Sequence, residues 1–157
     1  MNKKKLIILL TIGVIITGVG AGYYLLSPLL KNTKLDEPAP TISANQASSP
    51  TIGALKPATK EAPLVKREHA VEGKALLIDN TGQKTLRFEN LKTVNGPDLH
   101  IYLSADIEAR DYIDLGTVRA VQGNVNYTIP TDTDTVKYHY ALIWCKTFKV
   151  LFSSAEF

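Results

Sequence analysis

The 157-residue chain contains one cysteine, Cys145, one tryptophan, Trp144, and no methionine beyond Met1. A lone thiol excludes an intramolecular disulfide, and it excludes a zinc site made from two or more thiolates of one chain. Stability must therefore come from packing. Also missing are Gly-x-Ser-x-Gly, His-Glu-x-x-His, a phosphate loop and the Cys-x-x-Cys-His sequence that attaches heme covalently, so hydrolytic and nucleotide chemistry have no signature here. The chain does not read as a stand-alone enzyme.

A basic folded region is absent as well. The formal net charge is +3, yet residues 1–67 hold nine Lys/Arg against three Asp/Glu, while residues 68–157 hold nine against twelve. Proteins that neutralise phosphates need a basic face, so the acidic C-terminal part argues against nucleic acid as a partner.

What is present at the N-terminus is a long apolar run. Lys3, Lys4 and Lys5 precede Leu6 to Leu30, 25 residues without a charge. About 20 apolar residues in a helix cross a hydrocarbon core of about 30 Å, and Tyr23 and Tyr24 toward the far end suit the interface. The expectation is a basic cytoplasmic N-terminus at 1–5 and a transmembrane helix, a signal anchor, at 6–30. The remainder would then lie on the extracytoplasmic side of the cell membrane. Val19-Gly20-Ala21 also offers a peptidase site, which would release the chain instead. Continued hydrophobicity through Leu30 favours the anchor. Gly18 and Gly22 form a small-xxx-small pair, either ordinary membrane-helix glycine or a face for helix pairing.

Residues 31–67 carry five of the eight prolines, Pro38, Pro40, Pro50, Pro57 and Pro63, among Ser, Thr, Ala and Asn. Ile42, Ile52, Leu55 and Leu64 are too sparse to offset the entropy of ordering, so a flexible linker is expected. As a random coil it spans about 33 Å, and fully extended it reaches roughly 115 Å.

From Glu68 the pattern changes to short alternating runs separated by turn residues, the sign of an all-β domain at 68–157. Seven strands are predicted, over Val71–Asp79, Thr85–Asn90, Asp98–Ser104, Tyr112–Val118, Val125–Ile129, Val136–Cys145 and Phe148–Phe152. Their spacing suits an antiparallel β-sandwich. Alternation assigns Leu86, Phe88, Leu99, Ile101, Leu103, Phe148, Val150 and Phe152 to the core. The run ending at Cys145 is apolar on both faces, with Tyr140, Leu142 and Trp144 on one side and Ala141, Ile143 and Cys145 on the other. It reads as a central, doubly covered strand.

Several segments of this region carry a resemblance. They are His69-Ala-Val-Glu-Gly73, Asn95-Gly-Pro-Asp-Leu-His100, Tyr102-Leu103, Asp114-Leu-Gly116, Gly123-Asn124, Asn126-Tyr127, Ile129-Pro130, and Ile143-Trp-Cys145 with Phe148. Taken in order, they resemble the DM-thirteen domain, a proposed electron-transfer module, over nearly all of residues 68–157. The resemblance implies a redox-active Cys145, with the electron donor or acceptor on a separate molecule.

Beside that implication stands the reading from the residues alone. A cysteine inside a central strand is most often a small buried hydrophobe with an inert thiol. If Cys145 is reactive, Trp144 and Tyr140 are its candidate charge relays. Oxidation to a sulfenic acid or a mixed disulfide is then its simplest chemistry. A copper site needs two histidines and this cysteine, and His69, His100 and His139 supply nitrogens, but no histidine follows Cys145 as a tight ligand loop requires. No cofactor is evident, and copper and heme both stay open. His69 suits a turn hydrogen bond or a ligand contact, His100 a surface position or a ligand contact, and Asp98 a turn-fixing carboxylate.

Two functions follow for comparison. One is a membrane-anchored extracytoplasmic module in electron transfer or thiol redox chemistry through Cys145, meeting a separate redox protein. The other is a binding or adhesion module for a cell-surface ligand, with Cys145 structural.

Overall fold

The computed structural model describes residues 33–40, 58–80 and 82–157, together with Lys4, Gly13, residues 15–18, Gly20 and Gly22. It divides into two units, residues 1–31 and 32–157. Among the described residues no helix is long and apolar enough to cross a membrane. The expected span at 6–30 lies largely outside the described residues.

Among the described residues the larger unit has ten strands: β1 (Lys34–Asp36), β2 (Ala58–Pro63), β3 (Val65–Lys66), β4 (Val71–Asn80), β5 (Gln83–Thr93), β6 (Leu99–Ser104), β7 (Tyr112–Thr117), β8 (Gln122–Ile129), β9 (Tyr140–Cys145) and β10 (Val150–Glu156). They form two five-stranded sheets, in the orders β1-β8-β5-β4-β2 and β3-β10-β9-β6-β7. All pairings are antiparallel except that of β1 with β8. The all-β expectation holds: the seven strands expected over 68–157 are matched by β4 to β10, and β1, β2 and β3 are added from the described residues of 31–67.

Period-two alternation explains the core. On the first sheet Ala75, Leu77, Leu86, Phe88, Val125 and Tyr127 share one face, because Ala75 pairs with Phe88, Phe88 with Val125, Leu77 with Leu86 and Leu86 with Tyr127. On the second, Leu99, Ile101 and Leu103 pair with Cys145, Ile143 and Ala141. Both sets belong to one buried cluster that also takes in Phe152 and Ala155. Sheet-on-sheet packing of these inner faces is the main source of stability.

Two of the expected core or strand positions fall outside it. Phe148 is 66% exposed and Val136 is 79% exposed. Phe148 sits in the turn between β9 and β10, where alternation no longer applies. Residues before Tyr140 form a turn rather than a strand, because the Asp134 carboxylate accepts the amides of Val136 (2.9 Å) and Lys137 (3.1 Å), while its carbonyl accepts the Tyr138 amide (3.0 Å). Short polar side chains that satisfy backbone donors locally compete with sheet pairing.

The stretch 31–67, expected as a flexible linker, supplies three strands. β2 pairs along β4, the chain changes sheet at the buried Leu64, and β3 pairs with β10. β1 lies along β8, and the residues after it reach β5, so that Arg87 donates to the carbonyls of Glu37 (3.0 Å) and Pro38 (3.1 Å). The Glu37 carboxylate accepts from Arg119 (2.9 Å) and from the Asn126 amide (2.6 Å). Arg87 is only 5% exposed, so these acceptors and its pairing with Glu89 at 2.8 Å satisfy an otherwise costly buried charge. Gly123 permits the docking of β1: its φ is +106°, and a Cβ there would collide with the Leu35 carbonyl.

Candidate functional site

The β6–β9 register governs what gathers on the outer face of the second sheet. His100 lies opposite Trp144, Tyr102 opposite Leu142, and Ser104 opposite Tyr140. On the other side of β6, Tyr102 pairs with Asp114 and Ser104 with Tyr112 of β7. Three aromatic side chains consequently line up. Tyr102 stacks on Tyr112 with centroids 4.1 Å apart and planes 18° from parallel, and on Trp144 at 6.2 Å and 26°. Tyr102 is 2% exposed at the centre of the row, whereas Tyr112 is 42% exposed at its end. Burial raises the Tyr102 phenol above its ordinary pKa, and the hydrogen bond with Tyr112 and the charges of Tyr112, Asp114 and Asp98 add to that.

Beside the row lies a buried imidazole held at both ends. His100 Nδ1 is 2.8 Å from the Asp114 carboxylate and Nε2 is 3.1 Å from that of Asp98. A carboxylate only accepts, so both contacts are hydrogen bonds at once when both nitrogens carry protons. Burial opposes ionisation of Asp114, but hydrogen bonds from His100 and the Gly116 amide, with the charges of His100 and Lys146, outweigh it and hold the carboxyl below its ordinary pKa. Asp98 sits in the turn before β6 at φ +56°, but its carboxylate goes to His100 rather than to the turn's amides, and its carbonyl accepts the Lys146 amide at 3.1 Å. The Lys146 ammonium reaches Asp114 at 3.5 Å. His100 is therefore a clamped residue, 9% exposed, rather than a surface one.

Cys145 faces the other way. It is fully buried between the sheets, and its thiol donates to the Pro97 carbonyl at 3.0 Å. Trp144 and Cys145 are neighbours in sequence but point to opposite faces of β9, as successive residues of a strand must. A second thiol cannot reach this sulfur while the sheets stay packed.

Other expected site residues are scattered. Tyr140 shares the face of Trp144 but lies four residues, about 13 Å, along the strand. Its phenol is raised by a hydrogen bond with Glu156, by burial and by the Glu156 charge. His69 packs on the Phe152 ring, centroids 3.9 Å apart. His139 bonds the Lys137 carbonyl at 2.9 Å and sits six residues, about 20 Å, along the chain from Cys145. The three histidines and the cysteine do not converge, and among the described residues no group of three or more His, Cys, Asp or Glu is placed to hold a metal ion.

Sequence reasoning brought Trp144, His100 and Asp98 to notice and missed Tyr102, Tyr112 and Asp114 as their companions. Tyr102 and Asp114 lie within segments that carry the resemblance, but only the strand register joins them to Trp144.

The outer face also carries two adjoining clefts, of about 420 and 430 Å³, both lined by Trp144, Glu108 and Lys149. Tyr102 and Tyr112 line the first and Arg67 the second. Indole and phenol rings give up an electron more readily than most side chains, and a row of them within van der Waals reach offers short steps between a buried and an exposed member.

No curated protein and no solved structure matches the chain. A family match covers residues 63–157, which takes in β3 to β10, the clamped histidine, the aromatic row and Cys145, and its description is Electron transfer DM13. By that match the chain belongs to the electron transfer DM13 family.

Proposed function

We propose that this protein is a membrane-anchored extracytoplasmic domain that passes single electrons across the outer face of its second sheet, through Tyr112, Tyr102 and Trp144. The observation that carries the reading is the stack itself, with Tyr102 buried between an exposed phenol and a half-buried indole. Membership of the electron transfer DM13 family supports it. The lysine-led apolar run at 6–30 supports the anchor, with residues 1–5 in the cytoplasm. A separate redox protein or small molecule supplies and removes the electron.

In this reading Cys145 packs the core and stands outside the electron path. Its full burial and its bond to the Pro97 carbonyl also favour the rival reading, a binding module without chemistry. The two separate by experiment. Illumination of the full chain in detergent micelles with a ruthenium polypyridyl sensitiser and a cobalt(III) ammine as terminal electron acceptor removes one electron from Trp144, the only tryptophan, whose indole proton passes to water to leave an indole radical. The expected outcome is transfer of that radical to a tyrosine, followed by transient absorption, and its slowing by at least tenfold in Tyr102→Phe. Unchanged transfer in Tyr102→Phe would sink the electron path and leave the binding module.

A further inference from the structure

We infer that the groove running past both sides of Trp144 is a binding site for a planar conjugated anion. The inference rests on the electron-transfer reading and names the class of small molecule that this face would meet. Three observations carry it.

The floor is aromatic. Trp144 is shared by the two adjoining clefts, and Tyr102 and Tyr112 continue the same surface in the first. A flat π-system stacks on such a floor with little demand on its edge chemistry.

The rim holds an uncommitted cation. Lys74, Lys92, Lys137 and Lys146 each face a carboxylate at between 2.7 and 3.5 Å, and Lys34, Lys60, Lys66 and Lys84, which have no ion pair among the described residues, line neither cleft. Lys149, which lines both clefts, has no ion pair among the described residues. Of the acidic groups on the rim, Glu108 is engaged by Arg110 at 3.3 Å, and Glu68, which lines only the second cleft, is matched there by Arg67, so the net positive charge is that of the first cleft. The acidic balance of residues 68–157 makes this local positive charge stand out.

The backbone that presents the lysine is unusual. Lys149 has φ +53° and Ala109, on the facing loop, has φ +52°. Glycine or asparagine would hold either position with less strain. Strained non-glycine residues gather where a ligand is clamped, and here two of them line one cleft.

The test uses the full chain in detergent and anthraquinone-2,6-disulfonate as probe, with emission of the single tryptophan as the reporter. Saturable quenching is expected, with affinity falling about tenfold or more in Lys149→Glu and staying the same in Lys92→Glu on the other sheet. Lys149→Gly guards against misfolding. It relaxes the left-handed backbone while deleting the charge, so weakened binding in a variant of undiminished thermal stability assigns the effect to the ammonium. Linear, unsaturating quenching that is equal in all variants is collisional and overturns the inference. Equal competition by inorganic sulfate overturns the planar part, and equal affinity for methyl viologen overturns the requirement for negative charge. Binding is read as the saturation of indole quenching with probe concentration and requires no migration of a radical between Trp144 and the tyrosines, so its failure leaves radical migration untouched, and failure of radical migration leaves binding untouched.

Discussion

Replacing Cys145 by alanine separates packing from chemistry, and its size can be worked out from the surroundings. The sulfur is fully buried among Leu99, Ile143 and their neighbours in the core cluster. Losing its transfer free energy costs about 1 kcal/mol, on the scale of one buried methylene. A residual void of roughly 20 Å³ adds about 0.5 kcal/mol. The thiol bond to Pro97 is a weak one, and removing it leaves a carbonyl short of a donor, for roughly another 0.5 kcal/mol. The total is about 2 kcal/mol, which lowers the melting temperature of a domain this size by roughly 10 °C. Thermal unfolding followed by far-ultraviolet circular dichroism measures the loss. In parallel, an aromatic disulfide reagent should label Cys145 only after denaturation, and radical transfer from Trp144 should be unchanged in the variant at a temperature where it is folded. Cys145→Ser keeps a donor for Pro97 and should lose less stability with the same electron transfer. Rapid native labelling, or collapsed radical transfer with an unaltered melting temperature, would refute the packing role.

Three further outcomes follow. Gly123→Ala puts a Cβ into the Leu35 carbonyl at a left-handed φ, a strain of about 1–3 kcal/mol relieved when β1 leaves β8; faster amide exchange at residues 34–36 and 122–124 is expected, and protection equal to wild type would contradict it. Asp114 has a folded pKa below its unfolded value, so its stabilising contribution is complete above the ordinary carboxylate range and disappears as pH falls through the lower folded value. Asp114→Asn should therefore lower stability at neutral pH and flatten the acid limb of the stability curve, and identical acid limbs in the two proteins would be the wrong result. Phe148→Ser removes a ring that is 66% exposed in a turn, so its effect on stability should stay within about 0.5 kcal/mol; a loss of several would return Phe148 to the core.

The central strands were legible because the face that meets the opposite sheet is aliphatic or Phe while the other carries polar or Tyr side chains, which writes a period of two into the sequence even where both faces are buried, as in β6. Leu86 and Phe88, and Leu99, Ile101 and Leu103, are the examples. Strands β1, β2 and β3 were not legible, for a physical reason. Each lies at the edge of a sheet, the described side chains of β1 and β3 are largely exposed, and a paired edge strand gains its backbone hydrogen bonds without an apolar stripe. Pro63, which argued for a linker, is tolerated at the end of β2 because an edge strand has one side free of the ladder. The turn that carries Phe148 and residues 136–139 after Asp134 were read as strand for the opposite reason, since apolar and aromatic residues there mimic alternation without belonging to a strand.

At the site the same period had a sharper consequence. Cys145 and Trp144 are adjacent in the chain, and sequence reasoning joined them as thiol and relay although their alternation already set them on opposite sides. The residues that in fact accompany Trp144 come from other strands: His100 by direct pairing across the β6–β9 ladder, Tyr102 diagonally, Tyr112 and Asp114 through β7. Contacts of this kind depend on strand order and register, which no single-strand pattern encodes. The inward thiol touches only the core and the Pro97 carbonyl, whereas the outward indole meets two clefts, a lysine without a counter-charge and a buried phenol. On the proposed electron-transfer reading, a molecule arriving from solvent exchanges an electron with the second set at contact distance. It meets the first only through the packed sheet, so the search for a redox partner belongs on the outer face of β9.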